Sequence, residues 1–222
     1  VSYVRDQNLI VYDLASGKET PITDDGAGLI SWGTAEFIAQ EEMDRDTGYW
    51  WSPDERYIAL TRVDESPVDI VPRFEITGGG ATMVEQRYPR AGRPNAVVEL
   101  YVRDLQSGAR VKVDLGANTD IYLARVNWSG DGKTLYVQRQ SRDQKTLDLL
   151  SVDPTTGASR VILSQRASAW VDLNDDFRVL ADGRFIWSNE DSGWRHLYLY
   201  DRNGRRLRAI TRGDYPVKHL DG

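Results

Sequence analysis

Apolar and polar residues alternate with period two along most of the chain, and four segments repeat that alternation in one form. They are Leu9-Ile10-Val11-Tyr12-Asp13-Leu14-Ala15-Ser16-Gly17, Leu100-Tyr101-Val102-Arg103-Asp104-Leu105-Gln106-Ser107-Gly108, Leu149-Leu150-Ser151-Val152-Asp153-Pro154-Thr155-Thr156-Gly157 and Leu197-Tyr198-Leu199-Tyr200-Asp201-Arg202-Asn203-Gly204. Each is an apolar strand running into an Asp-containing turn that closes on Gly. A second short strand follows, such as Arg110-Val111-Lys112-Val113 or Arg160-Val161-Ile162-Leu163. Period two with that turn chemistry predicts a hairpin.

A second signature alternates with the first: Trp51-Ser52-Pro53-Asp54 before Tyr57-Ile58-Ala59-Leu60, Trp128-Ser129-Gly130-Asp131-Gly132 before Leu135-Tyr136-Val137, and Ala181-Asp182-Gly183 before Phe185-Ile186-Trp187. Together they supply about four strands per unit. The turn glycines Gly108, Gly157 and Gly204 fall about fifty residues apart, as in propeller blades, whereas the step from Gly17 to Gly108 is nearly double. The chain is therefore expected to be all-β, a partial β-propeller arc of about three to four four-stranded blades from a larger ring of about eight. A small closed propeller is the alternative. A single domain over 1–222 divides into a blade remnant at 1–25, an enlarged blade at 26–116, a blade at 117–164, a blade at 165–213 and the start of another at 214–222.

Two insertions account for the enlarged blade. The first is an acidic stretch, Glu41 to Thr47, of helical or irregular character, which interrupts the strand repeat; such interruptions often carry a site. The second, the arm at 66–96, has Arg73-Phe74-Glu75-Ile76-Thr77 and Thr82-Met83-Val84-Glu85-Gln86 flanking Gly78-Gly79-Gly80, the pattern of a two-stranded hairpin. With no Lys-Ser/Thr after it, the tri-glycine reads as a turn and not as a phosphate cradle. The arm is either a docking element or a bare surface hairpin.

Charge and composition narrow the classes. The 222 residues carry a formal net charge of −6, with Lys and Arg interspersed among Asp and Glu, which argues against a nucleic-acid surface. Zero cysteines exclude disulfides, thiolate metal sites and a cysteine nucleophile, and with His196 and His219 as the two histidines no metal or cofactor is expected. No apolar run approaches the roughly 18 residues of a membrane span, and Val1-Ser2-Tyr3-Val4-Arg5-Asp6 lacks the shape of a signal peptide.

The run Ala39-Gln40-Glu41-Glu42-Met43-Asp44-Arg45 ahead of Tyr49-Trp50-Trp51-Ser52-Pro53-Asp54, then Tyr88-Pro89-Arg90-Ala91-Gly92-Arg93-Pro94-Asn95, then Gly193-Trp194-Arg195-His196-Leu197-Tyr198 resemble, in order and spacing, the propeller domain of the dipeptidyl peptidase IV family, its bacterial members above all. The likeness covers essentially the whole chain. It implies a serine exopeptidase of the prolyl oligopeptidase family that removes X-Pro or X-Ala dipeptides from free peptide N-termini, with a hydrolase domain following the propeller. It also implies that Glu41 and Glu42, on a short helix at the propeller mouth, bind the substrate's α-ammonium. Mammalian members have a third Glu before the pair, where this chain has Gln40. The resemblance further suggests a periplasmic homodimer, with the 66–96 arm as a contact.

The chemistry of the pair suits that role. An ammonium offers three N–H donors and no acceptor, so two converging carboxylates match its charge and geometry while rejecting a blocked N-terminus. Neighbouring helical residues point about 100° apart, so both reach one ligand only near a helix end or in a distorted turn. The bland alternative is two solvated glutamates on a loop.

Trp170-Val171-Asp172-Leu173-Asn174-Asp175 falls where family members have a loop facing the substrate, making Trp170, Asp172 and Asn174 candidates for a pocket rim; strand-and-turn packing is the competing account. Trp50 and Trp51 read as core and blade-interface residues leading into a strand, and His196 and His219 as structural. No Gly-x-Ser-x-Gly nucleophile elbow occurs and no strand–helix alternation that would build a hydrolase domain, so no catalytic residue is assigned and the chain alone should lack peptidase activity. Two rivals remain. A non-catalytic interaction scaffold leaves Glu41-Glu42 without a role, and a glycosidase needs carboxylates roughly 5–10 Å apart across a bond, which adjacent glutamates fit poorly.

Overall fold

The turns that punctuate the chain explain its repeat. In the computed structural model, which describes residues 1–221, the Asp13 carboxylate accepts the N–H groups of Ala15 (2.8 Å) and Ser16 (2.9 Å), and the N–H of Gly17 returns to the Asp13 carbonyl at 2.9 Å. Asp104 repeats this with Gln106, Ser107 and Gly108, and Asp153 with Thr155 and Gly157. Aspartate recurs because its short side chain folds back onto backbone two residues ahead. Glycine recurs for two reasons: the closing residue sits at positive φ, +75° at Gly157 and +84° at Gly204, and a Cβ there would lie 2.0 Å from the Lys112 carbonyl oxygen or 1.6 Å from that of Ile162. The Gly157 and Gly204 turns thus seat against the backbone of an earlier strand.

The Trp-Ser signature is a different turn. Ser52 Oγ donates to Asp54 (2.6 Å) and accepts the N–H of Tyr57 (2.9 Å), so the serine closes the loop and launches the next strand. Ser129 does the same with Asp131 (2.7 Å) and Thr134 (2.9 Å).

Between these turns the strands form antiparallel meanders. β1 (Ser2–Arg5), β2 (Asn8–Tyr12) and β3 (Glu19–Pro21) make a three-stranded sheet in that order. The enlarged blade runs β4 (Ile30–Trp32), then β5 (Tyr49–Trp51), β6 (Tyr57–Asp64), β9 (Val97–Asp104) and β10 (Arg110–Lys112). Its sheet order is β10-β9-β6-β4, with β5 also paired to β6. The arm, β7 (Ile70–Thr77) and β8 (Gly80–Arg87), pairs only with itself, and the turn predicted at the glycines is a two-residue Gly78-Gly79 connection with Thr77 opposite Gly80. Two regular blades follow: β11 (Ile121–Trp128), β12 (Leu135–Ser141), β13 (Thr146–Val152), β14 (Ser159–Arg166); and β15 (Arg178–Val179), β16 (Phe185–Asn189), β17 (His196–Tyr200), β18 (Arg206–Ala209). The fold is the all-β partial propeller that the repeat predicts, with one short helix among the described residues, α1 (Phe37–Glu42), interrupting it. β14 runs two residues past the boundary expected at Ser164, because its pairing with β13 continues to Thr146 opposite Arg166. The residues from 214 to 221 carry no strand; the Leu220 N–H instead donates to Asp176 at 2.7 Å.

By internal packing the chain forms two compact units. The first comprises Val1–Tyr49, Leu60–Tyr101 and Gly116–Asp120, and its core contains fully buried Leu9, Leu60 and Leu100, with Trp32 edge-on to Tyr101 at 5.1 Å. The second comprises Trp50–Ala59, Val102–Leu115 and the residues from Ile121 onward. Here the two regular blades meet in a cluster of Tyr136, Leu147, Leu149, Phe177, Phe185, Trp187, Tyr198 and Tyr200. The inner strands are buried almost continuously, at every position of β17 and most of β12, because both of their faces are covered.

Candidate functional site: a carboxylate pair on an insertion helix

β4 ends at Trp32 and β5 begins at Tyr49, and both pair with β6, so residues 33–48 are an excursion from the middle of one strand position. The excursion is pinched at its base. Gly33 N–H donates to the Thr61 carbonyl (2.9 Å), Gly48 N–H to the Gly33 carbonyl (3.0 Å) and Thr61 N–H to the Gly48 carbonyl (2.7 Å). The Thr61 hydroxyl donates to the Thr34 carbonyl at 2.7 Å, and Thr34 and Thr47 form an isolated bridge. Glycine is required at position 48 for space, because a Cβ there would lie 2.1 Å from both Thr34 O and Thr61 Oγ1.

Above this base stands α1. Six residues are too few for an isolated helix, and this one has no side-chain N-cap and no basic residue in its last turn. Tertiary contacts hold it instead. Ala39 is the buried residue of the helix, and Ala35 just ahead of it and Met43 at its end are buried as well. Phe37 meets Tyr88 edge-on at 5.1 Å, and Gln40 Nε2 donates to the Ala35 carbonyl at 2.5 Å. Glu36, just before the helix, and Arg45, just after it, form an ion pair at 2.7 Å with side chains 5% and 6% exposed. Arg45 also donates from Nη1 to the Thr47 carbonyl (3.0 Å), and its backbone N–H reaches the Ala39 carbonyl at 3.0 Å.

Glu41 and Glu42 are the last two residues of α1 and both are exposed. Neither carboxylate has a hydrogen-bond or ion-pair partner among the described residues. Beyond them the chain leaves the helix at Met43 and bends sharply at Asp44, whose φ is +48°. The pair therefore occupies the helix end where carbonyl groups point outward and the backbone itself is electronegative, an unfavourable place for anions and a favourable one for a cation. The sequence pattern located the pair but missed the ion pair beneath it. The apolar four-residue spacing of Ala35, Ala39 and Met43 is the signal that would have extended the helix back to Phe37.

The three rim candidates lie in the second unit and line one cleft of about 330 Å³, together with Gln165, Ser188, Glu190 and Arg195 among others. They differ in what they present. Trp170 is 64% exposed and its indole N–H donates to Asp172 at 3.1 Å, so these two are offered to solvent as a pair. Asn174 is 2% exposed, with its amide donating to the Ser188 carbonyl (2.6 Å) and accepting the Asp176 N–H (3.1 Å), while its own carbonyl accepts from Gln138 (2.7 Å). Its side-chain amide is thus committed to bonds within the protein. In the lining, Arg195 is tied to buried Asp176 at 2.7 Å.

Trp50 and Trp51 lie half-buried within β5 itself, and the Trp50 carbonyl accepts the indole N–H of Trp128 at 3.0 Å. His196 is buried with Nδ1 3.0 Å from Thr211 Oγ1 and Nε2 2.9 Å from the Gly213 carbonyl, so both ring nitrogens are used structurally. Exposed His219 lies 2.9 Å from Asp221. Among the described residues no group of three or more His, Cys, Asp or Glu is arranged to hold a metal ion, and no helix is long and apolar enough to cross a membrane.

Known proteins carry the same arrangement of blades. The crystal structure of Porphyromonas gingivalis dipeptidyl peptidase 4 superposes with a TM-score of 0.89 at 26% identity, covering 99% of this chain and 32% of that one. A probable dipeptidyl peptidase 4 of Aspergillus fumigatus is 28% identical over 237 residues, 99% of this chain and 31% of the relative. Dipeptidyl aminopeptidase B of Saccharomyces cerevisiae is 25% identical over 236 residues, 98% and 29% respectively. The chain thus spans about a third of the length of the relatives it matches. The family model for the dipeptidyl peptidase IV (DPP IV) N-terminal region matches residues 1–222, and the chain belongs to that family.

Proposed function

We propose that this chain is the substrate-gating propeller region of a dipeptidyl peptidase, in which Glu41 and Glu42 bind the free α-ammonium of a peptide while a serine elsewhere in the full-length protein releases an X-Pro or X-Ala dipeptide. The observation that carries this reading is the state of the pair: two adjacent, exposed carboxylates without partners among the described residues, at the carboxyl end of a helix held by tertiary contacts. Like charges held together repel, and a bound ammonium relieves the repulsion while satisfying both groups. A blocked N-terminus or a mid-chain segment has no charge to offer there. That difference turns a general peptidase site into an exopeptidase site.

Trp170 and Asp172 belong to the same proposal as rim residues, an aromatic face and a carboxylate that a bound peptide could meet. The full-length protein is proposed to be a periplasmic homodimer with the β7–β8 arm as a contact. A non-catalytic scaffold is the second reading, and the arm's exposed apolar side chains are the observation that favours it.

The test is Glu41→Gln and Glu42→Gln in the full-length protein. A charge-assisted hydrogen bond contributes about 1.5–3 kcal/mol, so each change should raise KM for a dipeptidyl substrate by roughly ten- to a hundredfold. Labelling of the nucleophilic serine by a phosphonate should be unaffected. An unchanged KM in both variants would overturn the assignment.

A further inference from the structure

We infer that the buried Glu36–Arg45 ion pair is a positioning element for the carboxylate pair, holding the end of α1 in place and keeping the insertion's own cation from neutralising Glu41 and Glu42. This rests on the reading of those two residues as an ammonium-binding pair.

The argument begins with what the helix lacks. With six residues, no side-chain cap and carboxylates at its unfavourable end, α1 has little reason to persist on its own. The residue before it and the residue three beyond it are joined by one ion pair, which closes a loop around the helix. Arg45 also ties the chain after the helix to the Ala39 carbonyl within it and to the Thr47 carbonyl at the pinched base. Positions of Glu41 and Glu42 are therefore set by a bracket whose two ends are the same salt bridge.

Stability alone does not explain that bracket. Buried ion pairs are often no better than well-packed apolar side chains of similar volume, because desolvation offsets the attraction. What the ion pair supplies and an apolar pair does not is direction, since the planar guanidinium donates Nη2 to Glu36 and Nη1 to the Thr47 carbonyl at fixed angles. It supplies charge control as well. Arg45 lies in the stretch that carries Glu41, Glu42, Asp44 and Asp46, and a guanidinium released from Glu36 would be drawn to those carboxylates and compete with a substrate ammonium. Glu36 keeps the cation committed below the helix.

The experiment uses the full-length protein and four variants: Glu36→Leu/Arg45→Met, in which an apolar pair fills the buried site; Arg45→Lys, which keeps the charge without the fork; Glu41→Gln/Glu42→Gln; and the combination of the first and third. Thermal melting and phosphonate labelling of the serine report folding and the catalytic centre. KM and kcat report the site. The apolar pair should melt within a few degrees of the parent, label normally, raise KM about tenfold with kcat within about twofold, and add nothing further to the Glu41→Gln/Glu42→Gln background. Arg45→Lys should fall between the parent and the apolar pair. A folded apolar pair with parental KM would overturn the inference, as would full additivity with the glutamine variants. If the apolar pair fails to fold, Arg45→Lys decides, parental KM in a folded protein being the overturning result. Should Glu41→Gln/Glu42→Gln itself leave KM unchanged, the underlying reading of the site fails, and that outcome is distinct from both.

Discussion

Arg93 grips Asp69 with two nitrogens, Nε to Oδ2 at 2.6 Å and Nη2 to Oδ1 at 3.1 Å, and Arg90 adds a contact to Oδ2 at 3.0 Å. The fork fastens the loop that follows β8 to the residue that precedes β7, so it closes the base of the arm. Arg93 first, then Arg90, pull the Asp69 carboxyl down to a pKa of about 2. A carboxyl whose folded pKa lies below its unfolded value of about 3.9 contributes stability that is complete above the unfolded value and disappears as pH falls through the folded one. The clamp should therefore be intact at pH 5 and above, weaken below about pH 4 and be lost near pH 2. Asp69→Asn should reproduce the open base at neutral pH. Limited trypsin digestion would show it as faster cleavage after Arg87 and Arg90, with the melting temperature of the full-length protein little changed, because the clamp is solvent-exposed and local.

Phe177 carries more of the global stability. It sits on the connection between β14 and β15, 9% exposed, and its ring meets Tyr136 at 5.2 Å, Phe185 at 5.6 Å and Trp187 at 5.9 Å. One side chain thus packs against strands of both regular blades. Truncating a buried phenylalanine costs about 3–5 kcal/mol, so Phe177→Ala should shift the denaturant midpoint strongly, as read by tryptophan fluorescence. Leu163 at the partly buried margin of the same cluster is the control, and Leu163→Ala should cost clearly less.

Gly48→Ala tests the pinch beneath the helix. The added methyl meets two oxygens at 2.1 Å, one of them backbone, so strand β6 or the Thr34 segment must move. Overpacking of this kind costs about 1–3 kcal/mol. If the pinch sets the height of α1, the full-length variant should also show weakened substrate capture, as a higher KM with normal serine labelling. A variant that is destabilised yet keeps its KM would separate the base from the site.

Much of the fold was legible because its turns are chemical. Asp13, Asp104, Asp153 and Asp201 each fold back on their own backbone, and the glycines that close those turns all sit at positive φ, Gly157 and Gly204 also lacking room for a side chain, so the residues that mark the blades are the residues that make them. Glu41 and Glu42 were legible as an interruption of that pattern. What held them was not, since the Glu36–Arg45 pair joins residues nine apart through burial, and burial of a charge has no periodic signature. The inward bonding of Asn174 was equally hidden. Polar residues in a loop usually face solvent, but this amide is drawn inward to satisfy the Ser188 carbonyl and the Asp176 N–H.

The arm presents the last testable surface. Its register sets Phe74 opposite Met83 and Ile76 opposite Ala81, and period two aligns Ile70, Phe74 and Ile76 on one face. Phe74 is 68% exposed, Ile76 82% and Met83 64%, while the alternate positions Arg73, Glu75 and Gln86 are joined by hydrogen bonds of their own on the other face. Glu85 and Arg87 share the face of Phe74, and Val71 and Val84 share that of Arg73, but three large apolar side chains exposed together near the tip of a hairpin that pairs only with itself form a patch suited to being covered. Under the proposed homodimer the cover is a second copy. Loss of a central aromatic anchor typically weakens an interface by 2 kcal/mol or more, about thirtyfold in dissociation constant. Phe74→Ser/Met83→Ser in the full-length protein should therefore shift sedimentation from dimer toward monomer at micromolar concentration, with melting and serine labelling unchanged because the arm lies outside the blade cores. A dimer of parental affinity in that variant would remove the arm from the interface.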